Sequence, residues 1–282
     1  MINRQMADGR LTTPDQWADH WEGVKLPYLI DLRSYRWQAY DRLLRRVLAG
    51  CEGKALEVGS GACQWLIYLH REFGFEVFGL DDSIAACRVG HRNLGVAGVQ
   101  ASVICGDLFA APVREATFDL VYSDGVIEHF DDFRLALAPM LRLVRPGGLV
   151  VATVPNFGGW FGTYRRIFDP DLYRIHKAVN GADLQSAFEE LGLNTIEVGY
   201  FASLRIPYGK LFKGRGWRAW VGLAPRVLAR IVDKFLVSAY RLTGRSIESS
   251  WLSAEIFAVG RRSMGPIPQP AMSSVASSGG LG

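Results

Sequence analysis

From residue 54 onward the chain alternates short apolar runs with stretches of helical periodicity, and this alternation narrows the possible folds more than any other feature. The runs are KALEV (54–58), EVFGL (76–80), ASVIC (101–105), FDLVY (118–122) and GLVVATV (148–154). Helices are expected among and after them, near 64–73, 83–94, 133–144 and 182–191. Runs of almost unbroken apolar character belong to strands buried on both faces, which predicts a doubly wound, mostly parallel α/β sheet. Two later runs, NTIEVGY (194–200) and AEIFAVG (254–260), bring the count to seven strands. Upstream, helices are expected over 14–23 and 34–48, and residues 1–13 read as loose. In the second helix Trp37, Tyr40, Leu44 and Val47 share a face, with Ser34 as N-cap.

Composition matters here for what it excludes. The 282 residues are 49% hydrophobic and 21% charged, which are globular proportions. Cys51, Cys63, Cys87 and Cys105 form no CxxC pair, and such sparse thiols suit a reducing cytoplasm. The N-terminus carries no apolar signal-peptide core. The uncharged run 147–164 holds five glycines and Pro155, which suits a strand and loop better than a membrane span. Charge is uneven. Ten Lys and Arg oppose the single Asp233 between residues 201 and 246, a net +9 that leaves −5 on the rest.

The first strand–helix turn reads LEVGSGACQ. Gly59 and Gly61 permit a tight turn and close backbone approach to a ligand. Twenty residues beyond Gly61 the second strand ends in Asp81–Asp82, placed to take ribose hydroxyls, although Asp82 reads equally well as a helix N-cap. Gln64 stands where a dinucleotide fingerprint has its third glycine, which argues against NAD. The third strand ends in Asp107 and Leu108. Glu57, Asp81 and Asp107 on successive strands would repel a diphosphate and suit a ligand bearing a diol, an amine and a cation.

Together EVGSG (57–61), GLDDS (79–83), CGDLF (105–109), FDLVYSDGVIEHF (118–130) and LVRPGGLVVATVPN (143–156) resemble the class I S-adenosylmethionine-dependent methyltransferases. The resemblance spans residues 34–200 and the returning strand at 254–260. It implies a Rossmann-like seven-stranded domain over 34–262 behind an N-terminal extension and cap (1–33); the basic helical insertion (201–250) departs from the family's tight hairpin there, and the Ser/Gly/Pro-rich tail (263–282) reads as disordered from its composition. It also implies S-adenosylmethionine as cofactor. Glu57, Gly59 and Gly61 would border its methionine end, Asp81 and Asp82 its ribose, Asp107 and Leu108 its adenine, and Ser123 would line the methyl-transfer site.

His129, just past the fourth strand, is the expected catalytic base for a hydroxyl acceptor. The bland reading is an imidazole bonded to backbone near the cofactor. Asp124 and Glu128 are weaker candidates for the base, and the role of His176 stays open. His20, His70 and His91 read as surface or packing residues. No spacing of histidines, cysteines and carboxylates marks a metal site, and no GxSxG or GxxxxGK[ST] motif occurs. The [DNS]PP[YFW] tetrapeptide of many nucleic-acid amino methyltransferases is replaced by SDGV, which argues against nucleic acid as substrate.

In the insertion, PRVLARIVDKFLVSAYRL is expected to set Arg226, Arg230, Asp233, Lys234 and Arg241 on one side and Val227, Leu228, Ile231, Val232, Phe235 and Leu236 on the other. Tyr208, Phe212, Trp217 and Trp220 lie nearby. Three readings stay open for residues 201–246: a helical cap with a solvated basic face, contact with an anionic membrane surface or lipid-linked substrate, and a polyanion such as RNA. Arg165 and Arg166 in GGWFGTYRRIF are placed either to pair with an acidic group on the acceptor or as surface charges on a lid helix. The expected reaction is methylation of a small or lipid-linked acceptor at oxygen, by a cytoplasmic protein that membrane contact through the insertion would place at the inner membrane face. A nicotinamide-dependent oxidoreductase and a non-catalytic methyltransferase-like partner are the alternatives. The sequence sets no oligomeric state.

Overall fold

A computed structural model describes residues 9–21, 23–205 and 217–265. Seven strands form one sheet: β1 (Lys54–Val58), β2 (Glu76–Asp81), β3 (Ser102–Cys105), β4 (Phe118–Asp124), β5 (Val144–Pro155), β6 (Leu193–Ser203) and β7 (Ser253–Arg262). Their spatial order is β3-β2-β1-β4-β5-β7-β6. The first five pair in parallel, whereas β7 runs antiparallel between β5 and β6. The doubly wound reading of the alternating runs therefore holds.

Helices cover both faces because the strands are apolar on both. On one side α5 (Arg134–Leu143) and α8 (Gly181–Glu190) close a core around Leu56, Val121, Val150, Phe188 and Ile256. On the other, α2 (Tyr35–Val47), α3 (Gln64–Phe73) and α4 (Ile84–Ala97) enclose Tyr40, Leu44, Trp65, Leu69 and Tyr122. Before them, α1 (Pro14–Trp21) packs on α4. After β5 come α6 (Trp160–Phe168) and the short α7 (Pro170–Arg174).

Two local readings change. Residues 9–13 are not loose: Arg10 bridges to Phe130, the Leu11 N–H donates to the His129 carbonyl at 2.8 Å, and Asp131 donates to Gly9 at 2.8 Å. This strap is held by tertiary pairing, for which the local sequence carries no signal. Helix α9 (Trp217–Thr243) also divides its faces differently. Leu236 and Val237 are buried against Tyr35, and Asp233 faces inward, accepting the Tyr35 N–H at 2.8 Å. Asp233 thereby serves the start of α2, where Ser34 makes no side-chain cap. Leu228, Ile231, Phe235 and Leu242 face outward instead. The insertion lies between β6 and β7. Within it Lys210, Lys213, Arg215, Tyr208 and Phe212 lie outside the described residues, as do the side chains of Arg218, Arg226, Trp217 and Trp220 and the tail from 266.

Candidate active site

Strand order reverses between β1 and β4, and a cleft of about 920 Å3 opens there, beyond the C-terminal ends of β1, β2 and β4. Side chains and loops diverge at such a switch point, so it is where open α/β sheets bind ligands. Gly59 leaves β1 with φ +71°, and a Cβ on it would stand 2.4 Å from Val126 Cγ2. Gly61 has φ +49°, and a Cβ there would meet the Trp21 ring at 2.3 Å. Both positions require glycine for conformation and for space. Asp81 braces their loop: Oδ2 accepts the Gly61 N–H at 2.8 Å and Oδ1 accepts the Ser83 N–H at 2.9 Å. Burial outweighs these bonds and raises the Asp81 pKa to about 6. Each oxygen has lone-pair capacity left for a hydroxyl donor.

Gly59, Asp81, Asp82, Leu108 and His129 line the cleft. Glu57, Gly61, Asp107 and Ser123 are not in its lining. Glu57 and Ser123 are buried within their strands, and Gly61 sits under Trp21. Asp107 accepts the Phe109 N–H at 3.0 Å and pairs with Arg10, which also lies 3.7 Å from Asp82. Ser83, not Asp82, caps α4, taking the Ala86 N–H on its hydroxyl. Glu57 Oε2 is buried with no hydrogen-bond partner. Burial, then the charges of Asp124 and Asp81, push its pKa well above the usual carboxylate range. A glycine cradle over an orphaned acid, beside carboxylates that can take a diol, fits a ligand that is cationic at one end and a ribonucleoside at the other.

Local sequence reasoning missed the opposite wall. Arg10, Thr12, Trp17 and Trp21 come from the strap and α1 and close over the cleft. Its one sequence trace is the pair of tryptophans four residues apart in PDQWADHW, which a helix sets on one face. The fixing of Asp124 was also missed. Its carboxylate accepts from Tyr40 Oη (2.8 Å), Trp65 Nε1 (3.0 Å) and Thr153 Oγ1 (2.6 Å), so α2, α3 and β5 all clamp the end of β4.

His129 lies in the short turn Ile127–His129 after β4. Its Nδ1 is 2.8 Å from the Ile175 carbonyl, so the neutral ring carries its hydrogen there and leaves the Nε2 lone pair free. Trp17 packs edge-on against it and His176 lies 4.3 Å away between ring centroids. Burial, then His176, lowers its pKa to about 3. Arg165, in α6, pairs with Asp169 at 2.9 Å, and its guanidinium lies 5.3 Å from the Phe161 ring, as does that of Arg205.

A methyltransferase-domain family model matches residues 56–152. Demethylmenaquinone methyltransferase of Staphylococcus carnosus (strain TM300) is 26% identical over 202 residues, which cover 63% of this chain and 82% of that protein. Its counterpart in Geobacillus kaustophilus (strain HTA426) is 27% identical over 161 residues, covering 56% and 67%. Among solved structures, geranyl diphosphate C-methyltransferase from Streptomyces coelicolor A3(2) superposes with a TM-score of 0.57 at 12% identity, covering 88% of this chain and 97% of that one, a likeness of fold. With its strand order, its glycine cradle and these relatives, the chain carries a methyltransferase domain of the class I S-adenosylmethionine-dependent type.

Proposed function

We propose that this methyltransferase acts on a hydroxyl oxygen of a small or lipid-linked acceptor, and that it works at an anionic membrane surface. The observation that carries the acceptor class is the outward face of α9. Leu228, Ile231, Phe235 and Leu242 are exposed there in a helical stripe, and Arg230, Lys234 and Arg241 run beside it. An apolar stripe edged with cations suits the headgroup boundary of an anionic bilayer, where each basic side chain contributes about 1 kcal/mol. Among the described residues no helix is long and apolar enough to cross a membrane, so the contact proposed is peripheral. The relatives named for demethylmenaquinone favour a quinone precursor within this class.

S-adenosylmethionine, when bound, supplies a methyl group activated on a cationic sulfur. In our reading Asp81 and Asp82 hold its ribose, Asp107 and Leu108 its adenine, and Glu57, Gly59 and Gly61 surround its methionine end. Ser123 supports the wall behind the transfer site. Asp81 and Asp124 give the cleft a negative potential that favours a cation. Trp17 and Trp21 keep water out. In our reading His129 faces the acceptor hydroxyl through Nε2 and receives its proton as the oxygen–carbon bond forms and the sulfur–carbon bond breaks, and holding the two reactants in line is the larger part of the catalysis.

The test is incubation with methyl-labelled S-adenosylmethionine and fractionated bacterial lipid extracts, with the product identified by NMR. Label in a lipid fraction as a methoxy group is the expected result. A carbon-bound methyl would overturn the oxygen assignment. No labelled product from a chain that binds S-adenosylhomocysteine would overturn the acceptor class and favour a non-catalytic partner.

A further inference from the structure

Behind the cleft wall, Glu128, His129 and His176 bring one ligand-type atom each to within 4.8 Å of one another. The three come from two segments, the turn after β4 and the end of α7, joined by the Lys177 N–H donating to the Glu128 carbonyl at 2.7 Å. His129 Nδ1 lies on the Ile175 carbonyl at 2.8 Å and His176 Nδ1 on the Leu172 carbonyl at 2.6 Å. Both rings therefore carry their hydrogen on Nδ1 and leave Nε2 as a bare lone pair. Anchoring the distal N–H on a carbonyl is how proteins orient metal-binding histidines. Phe157 stacks on His176 at 4.5 Å and fixes the second ring.

The third group is the one that asks for a ligand. Glu128 is 1% exposed and neither carboxylate oxygen has a hydrogen-bond partner; the nearer approach is Oε1 to His129 Nε2 at 4.0 Å. Two imidazole lone pairs and a buried carboxyl group with no hydrogen-bond partner leave polar atoms uncompensated, which is costly unless a cation fills the gap; burial favours the protonated form of Glu128, so the ion would displace that proton.

We propose that Glu128, His129 and His176 form a binding site for a divalent transition-metal ion. Two imidazoles and one carboxylate are the donor set for Zn2+, Fe2+, Co2+ or Mn2+ and not for Mg2+ or Ca2+, which take oxygen. Bonds of about 2.0–2.2 Å bring ligand atoms to about 3.4 Å apart in a tetrahedron. Glu128, with no hydrogen bond to break, supplies that closing movement. His129 lines the cleft while Glu128 and His176 lie behind it, so an ion held by the three would stand at the cleft wall. The site bears on the reading of His129 above: an ion on Nε2 takes the lone pair that would otherwise meet the acceptor hydroxyl, so bound metal and that role of the imidazole exclude one another.

The experiment uses the untagged full chain, stripped with chelator and titrated with Zn2+ and with Co2+, beside Glu128→Gln and His176→Gln. S-adenosylhomocysteine binding reports that each variant is folded. The expected result is one equivalent of metal in the wild type, affinity weakened at least about tenfold in each folded variant, a visible Co2+ spectrum without thiolate charge-transfer absorption, and no competition from Mg2+. Absence of a stoichiometric site in the wild type would overturn the proposal. So would unchanged affinity in both variants, or a thiolate band placing the metal on cysteine. If neither variant folds, the wild-type Co2+ spectrum decides alone, since nitrogen–oxygen coordination is required.

Discussion

Replacing Asp81 with alanine probes the site where structure and chemistry make the most specific demand. In the wild type its carboxylate takes the Gly61 and Ser83 amides and keeps lone pairs for the ribose diol. A hydrogen bond to a charged group contributes about 1.5–3 kcal/mol, so losing one weakens S-adenosylhomocysteine binding about 12- to 150-fold. The pH dependence adds an independent signature. Burial raises this acid to about 6, so it is about nine-tenths ionised at pH 7 and about one-tenth at pH 5. The free protein gains a proton as pH falls through 6, and that proton must leave before the carboxylate can accept the diol. Wild-type affinity therefore drops about tenfold from pH 7 to pH 5, or about 1.4 kcal/mol, while Asp81→Ala shows no such step. Calorimetric titration at both values, with circular dichroism to confirm folding, measures this. Unchanged affinity in the variant at pH 7, or the same pH step in both proteins, would refute the argument. Asp81→Asn retains one acceptor oxygen for the loop and separates loss of charge from loss of bracing.

Other expectations follow from the same geometry. Gly59→Ala places a Cβ 2.4 Å from Val126 in a left-handed conformation. It should lower stability by about 1–3 kcal/mol and abolish S-adenosylhomocysteine binding, as read by urea denaturation and titration. Tyr40→Phe removes the 2.8 Å donor to Asp124 and should cost about 1–2 kcal/mol; an unmoved urea midpoint would show that Trp65 and Thr153 suffice. Ile231→Glu and Phe235→Glu, both on the exposed stripe, should leave stability within about 0.5 kcal/mol and release the protein from anionic vesicles. Co-sedimentation measures this, and wild-type binding that is indifferent to salt or vesicle charge would remove the electrostatic part of the membrane reading.

Features encoded by neighbouring residues were legible in the sequence. Continuous apolar runs such as FDLVY and GLVVATV specify strands buried on both faces, because no other local pattern satisfies so many adjacent apolar side chains. The LEVGSG turn and the acids ending β2 announce a ligand cleft, because a tight βα turn and the residues at strand ends are set by short-range geometry. Both together determined the α/β class and pointed to the cofactor. The strap over the cleft, by contrast, exists only because Arg10 meets Phe130 and Trp21 lies over Gly61. Helical periodicity separated the polar and apolar faces of α9 but not which apolar face is buried. That was decided by docking on Tyr35, which took Leu236 and Val237 inward and left Ile231 and Phe235 outside. The clamp on Asp124 and the meeting of His129 with His176 likewise join distant segments. Short-range sequence encodes backbone conformation and burial preference; which distant side chains meet, and so which acid is pinned and which imidazoles share a pocket, is set by how the layers pack.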